Sequence, residues 1–185
     1  MLKIRKADEK THHDQLDQLA LCTGEMQWIA LVLTNDEQLA TKLTRQSVAA
    51  LFTDNQEFDH WLALWGHRIT IKNCIAAKRN DLSAEQHDRE WWEAAARSID
   101  GDADRPPAIS SAESINHAIR SLHILPRFVF VMHALEKYSL EETGQLLHVP
   151  EDTCKSAFAY ALAALGHTVR LADLQPWVAS HSCAY

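Results

Sequence analysis

The stretch that decides the fold runs from Ser139 to Leu165: SLEETGQLLHVPEDTCKSAFAYALAAL. Ser139 with Glu142 three residues later is a capping box, two side chains that satisfy each other's exposed backbone donors at a helix start. Gly144 supplies the close approach that two crossing helices need. His148-Val149-Pro150 make a turn, after which Cys154, Phe158, Ala161 and Leu165 recur on one face of a second helix. This spacing predicts Lys155, Ser156, Ala159 and Tyr160 facing outward, where the second helix of a helix-turn-helix meets the major groove. Two ordinary packed helices carry the same pattern, because a helix-turn-helix is geometry before it is function.

Working upstream, Ser114 reads as an N-cap, and Ile115, Ala118, Ile119 and Leu122 as one helix. Pro126 fits the opening turn of the next, which carries Val129, Phe130, Met132 and Leu135 and ends near Tyr138. Before these lies a segment with a helix expected from about Ser83 to Ile99, containing Trp91-Trp92. It runs into Gly101-Asp102-Ala103-Asp104-Arg105-Pro106-Pro107, a linker with polyproline-like character.

The first lobe reads as three helices. Thr34-Asn35-Asp36 is a stop and an N-cap together, separating Trp28, Ile29, Val32 and Leu33 from Leu39, Leu43, Val48, Leu51 and Phe52. Phe58, Trp61, Leu62, Trp65 and Ile69 then form a helical stripe, which assigns Trp61 and Trp65 to the core. The same helix ends in a basic tail of His67, Arg68, Lys72, Lys78 and Arg79.

Residues 1–82 hold 10 bases and 11 acids, residues 83–114 hold 3 and 8, and residues 115–185 hold 5 and 6. The acidity therefore belongs to the middle, and a strongly basic nucleic-acid binder is excluded, so any DNA binding rests on local patches. The 185 residues contain only five Gly and five Pro, too few for the turns of a sandwich or barrel. No apolar run approaches a membrane span, which leads us to expect a cytoplasmic chain with no membrane partner. The fold class expected is all-α: two small helical domains joined by an acidic linker, the second ending in a helix-turn-helix. The domains expected are residues 1–82, a linker with a helix over 83–114, residues 115–169, and a tail over 170–185 whose Leu171, Leu174, Trp177 and Val178 pack back on the second lobe or cover the recognition helix, packing being the favoured reading.

The stretch from Ala118 to Leu165 resembles the second conserved domain of bacterial RNA polymerase sigma factors of the extracytoplasmic-function (ECF) group. The family pattern A-L-x-x-L-P, R-x-V-F-x-L, S-x-x-E-I-A, T-V-K-S-R-x-x-R-A-R meets Ala118-Ile119, Leu122, Arg127, Val129-Phe130, Met132, Ser139, Glu142 and Thr153-Cys154-Lys155-Ser156 without a gap. The first lobe is similar to the family's other domain. Leu33-Thr34-Asn35-Asp36 stands at L-T-G-D, Ala40 with Leu43-Thr44 at A-E-D-L-T-Q-E, and Phe58, Trp61-Leu62, Arg68 and Lys78-Arg79 at F-x-x-W-L and its basic continuation.

The resemblance implies a transcription initiation subunit, not an enzyme, with core RNA polymerase and promoter DNA as partners and no cofactor. It assigns duplex reading to Thr153, Lys155, Ser156 and Tyr160, capture of the melted strand to Arg68, Lys72, Lys78 and Arg79, and polymerase docking to Leu39, Lys42, Leu43, Arg45 and Gln46. The chain departs from the pattern on these surfaces. Ala157, Tyr160 and Leu162 replace three recognition-helix arginines, Thr41-Lys42 replace the acidic pair of the docking helix, and Arg45-Gln46 replace its Gln-Glu. An alternative reading follows: a sigma-like regulator acting through protein contacts, as a homodimer or with a sigma or antisigma partner, and with little DNA binding.

Enzyme and metal chemistry find no motif. Eleven histidines are present, notably His12-His13, His60 with His67, and His181 near Cys183, but none has the spacing that sets metal ligands on one face. The four cysteines are dispersed without a C-x-x-C, which argues against a zinc site or a disulfide framework.

Overall fold

A computed structural model describes residues 20–54, 62–86, 89–100 and 112–168. The described residues are helices and short turns with no strand, so the chain is all-α. It divides into two compact units, Met1–Cys74 and Ile75–Tyr185. Phe58, Trp61, the Gly101–Pro107 segment and the tail beyond 168 lie outside the described residues.

In the first unit, α1 (residues 20–34) buries Cys22, Met26, Ile29, Ala30 and Leu33 along one stripe. It runs unbroken through Thr23-Gly24. It stops where Asn35 turns left-handed at φ 52°, its N–H still bonded to the Leu31 carbonyl, a conformation asparagine tolerates better than most residues. Asp36 then caps α2 (Glu37–Asp54) by accepting the Leu39 N–H at 2.9 Å, as the sequence predicts. The buried face of α2 is partly hydroxylic. Thr44 and Ser47 donate to the carbonyls four residues back, which satisfies both hydroxyl protons within the helix.

Helix α3 (Leu62–Ala77) crosses α1 closely: a Cβ on Gly66 would lie 2.8 Å from Met26 Sδ. Asn73 Nδ2 donates to Ser47 Oγ at 2.9 Å and ties α3 to α2. Two expectations are corrected here. His67, read as part of the basic tail, is buried, with Nε2 3.2 Å from Glu25 Oε2. Trp65, assigned to the core, is 59% exposed.

The second unit contains α4 (Arg79–Glu85), α5 (Arg89–Asp100), α6 (Ala112–Ser121), α7 (Ile124–Phe130), α8 (Leu140–Leu147) and α9 (Glu151–Thr168). The single helix expected over Ser83 to Ile99 is two, since α4 gives way to a turn at Gln86. Ser114, expected as an N-cap, lies inside α6. Every side chain from Ile124 to Phe130 is buried, making α7 the centre of this unit. Its start is capped from α4, because the Glu85 carboxylate accepts the N–H groups of Ile124 and Leu125 at 3.4 and 2.9 Å. Those are donors that a helix N-terminus otherwise leaves unpaired.

After Phe130 the helix widens into a π turn, Val131–Leu135, closed by the Glu136 N–H on the Val131 carbonyl. Lys137 at φ 60° then reverses the chain, and His133 Nδ1–H donates to the Tyr138 carbonyl at 2.7 Å. The capping box forms as read: Ser139 Oγ accepts the Glu142 N–H at 3.0 Å, and Glu142 Oε2 accepts the Ser139 N–H at 2.8 Å. Gly144 is required by its neighbour, since a Cβ there would lie 2.6 Å from the Val149 carbonyl oxygen. Cys154, Ala161 and Leu165 of α9 are fully buried, and Phe158 stacks on Phe130.

Candidate functional site

Helix α9 is enclosed on a second side that its apolar stripe does not announce. Within the second unit, α5 lies along α9 and packs on it more extensively than α7 or α8 does. Ser156, read as outward, is only 9% exposed, and its Oγ lies 3.0 Å from both Glu93 Oε1 and the Asp152 carbonyl oxygen, which share its one proton. Tyr160, also read as outward, is half-buried. Its ring joins those of Trp91, Trp92 and His123, every pair in contact at centroid separations of 4.7 to 6.1 Å. Pairs of this kind add roughly 0.5–1.5 kcal/mol each beyond the area they bury. Burial, with Glu85 nearby, pushes the Tyr160 phenol up from its ordinary value. Thr153 is buried as well.

Lys155 and Ala159 do face solvent. Lys155 Nζ sits 2.9 Å from Glu151 Oε1 and 3.4 Å from Asp152 Oδ1, and hydrogen bonds to both carboxylates raise its pKa. Two exposed acids around one cation leave the opening turn of α9 net negative, which opposes a phosphate backbone. Cys154 lies beneath; burial and then Glu151 push its thiol up to about 11.

In the first unit, Trp65, Arg68 and Lys72 fall at i, i+3 and i+7 on α3, and all three are exposed. They form one stripe of an aromatic followed by two cations. On α2, Lys42, Arg45 and Gln46 are exposed, Leu39 is half-buried, and Leu43 points into the core beneath them. Lys78 and Arg79 fall at the start of α4, in the chain's second unit, where Lys78 pairs with Asp81 at 3.1 Å.

Sequence reading missed the exposed Trp65 and the partners Glu85, Glu93 and His123 of the second unit. The adjacent tryptophans Trp91-Trp92 were the available signal, because a pair that apolar on an acidic helix needs a partner surface. Among the described residues no group of three His, Cys, Asp or Glu side chains converges as a metal site, and no helix is long and apolar enough to cross a membrane.

The second unit, with a short helix and tight turn leading into α9, contains the residues that match a known domain: 112–165 fit Sigma-70, region 4. Over 156 residues, 84% of this chain and 72% of the relative, the sequence is 28% identical to "ECF RNA polymerase sigma factor SigM" of Mycobacterium tuberculosis, in strains Erdman and H37Rv alike. No solved structure matches the chain. The region-4 match and the similarity to an ECF sigma factor bear out the resemblance read from the sequence.

Proposed function

We propose that the chain is a promoter-specificity subunit that docks on core RNA polymerase through α2 and holds the melted promoter strand along α3. The observation that carries this reading is the stripe of Trp65, Arg68 and Lys72. A tryptophan 59% exposed on a folded helix offers its ring face for stacking on an unpaired base, while the two cations track phosphates. Similarity to an ECF sigma factor over most of the chain supports the same role. Lys42 and Arg45 alter the charge of the docking face, so α2 would rely on shape and the apolar Leu39 edge.

The test is reconstitution. Core polymerase supplied with the purified chain should yield transcripts from defined start sites on genomic DNA. A holoenzyme that forms but selects no start site would refute promoter specificity.

A second reading is favoured by α9. With Ser156 and Tyr160 turned under α5 and Lys155 held by two acids, the protein would act as a sigma-like regulator through a homodimer or an antisigma partner. A salt-resistant complex of that kind, with no polymerase binding, would select it.

A further inference from the structure

We infer that α5 is an intramolecular cover for α9, and that duplex DNA reaches α9 only when α5 is displaced. The inference rests on the reading of α9 as the duplex-facing helix, and it deepens that reading by assigning its regulation. Of the four residues read as contacting the duplex, Thr153 and Ser156 are buried and Tyr160 is half-buried. Ser156 and Tyr160 are held by named partners on α5: the Glu93 carboxylate on the hydroxyl, and the Trp91 and Trp92 rings on the phenol.

The cover has a firm part and a loose part. Trp92 is 1% exposed and anchors α5, whereas Trp91 is 48% exposed and touches Tyr160 from the rim. Trp92 Nε1 is buried and finds no acceptor, a cost of the closed arrangement that opening would relieve. The face also carries the wrong charge for DNA while closed, since the Glu93 carboxylate lies against Ser156 and repels phosphates. A cover that is closed most of the time lowers the apparent duplex affinity by the fraction of molecules open.

Two variants of the full chain test this, with binding to a labelled random-sequence duplex measured in low salt and no polymerase present. Trp91→Ala removes the rim contact without changing charge, and Trp91→Phe should restore it. Glu93→Gln removes the carboxylate acting on Ser156, with Glu90→Gln on the exposed side of the same helix as its charge control. Amide exchange over residues 89–100 reports whether α5 has loosened. The cover predicts that Trp91→Ala and Glu93→Gln speed exchange there and raise duplex affinity about tenfold or more, while Trp91→Phe and Glu90→Gln do neither. Faster exchange with unchanged duplex affinity would overturn the proposal, and so would unchanged exchange and affinity in both variants. Failure of the polymerase-docking reading would appear in polymerase binding and leave this comparison intact.

Discussion

Ser156 donates to the Glu93 carboxylate at 3.0 Å across 63 residues of sequence. A serine at the surface of a recognition helix would face solvent or DNA; here it is an internal fastener between α9 and α5. The same contact gives meaning to the alanine at 157, fully buried where the family pattern has an arginine. No arginine could occupy that position without displacing its neighbours.

Trp92 is the anchor of this packing. Trp92→Ala should destabilise the second unit by about 3–5 kcal/mol, the range for removing a buried large aromatic. Chemical denaturation followed by far-UV circular dichroism measures it. A loss below 1 kcal/mol would show that α5 is not part of the folded unit.

The turn before α9 is specified by backbone geometry. Gly144→Ala should cost roughly 1–3 kcal/mol by forcing the Val149 carbonyl aside, whereas Ser139→Ala should cost about 1 kcal/mol through loss of a cap. Unfolding midpoints of the two variants, at equal m-values, give the ranking directly.

Trp65 should separate function from stability. Trp65→Ala is expected to change stability by no more than about 0.5 kcal/mol, because the side chain is exposed. It should weaken binding of a single-stranded oligonucleotide by about 1–3 kcal/mol, the value of one stacked base. Fluorescence anisotropy with a labelled single strand checks it; undiminished binding would remove Trp65 from the strand-capture stripe.

The buried thiols set an alkaline limit on stability. Burial raises the Cys74 thiol from an ordinary 9.0 to about 12, and Cys154 rises to about 11. Both folded pKa values lie above the unfolded one, so this stabilisation is full below about pH 9 and is lost as pH climbs through the folded values. Both thiols should resist iodoacetamide at pH 8 until the chain is unfolded. Peptide mapping after labelling with and without denaturant measures this, and rapid modification of either in the native protein would contradict the burial.

The turn and caps were legible in the sequence because they rest on local rules: Asn35-Asp36, Ser139 with Glu142, and Gly144 each act within a few residues. The apolar stripe of α9 was legible for the same reason. Its second contact was not. Periodicity reports one buried face, and a side carrying Ser156 and Tyr160 reads as exposed until α5 is known to lie on it. His67 failed as a basic-tail residue because its partner, Glu25, is 42 residues away. Trp65 failed in the opposite sense: a tryptophan at helical spacing reads as core, and only the fold shows it on the outside.

A promoter-specificity subunit must bind RNA polymerase despite its altered docking charges. The direct measurement is binding of the full-length protein to core polymerase at low and moderate salt. Because Lys42 stands at an acidic position of the family's docking pattern and Arg45 adds a second cation beside it, the expected result is a stable complex whose affinity does not fall as salt rises. Absence of a complex at either salt, with the helices intact by circular dichroism, would contradict it.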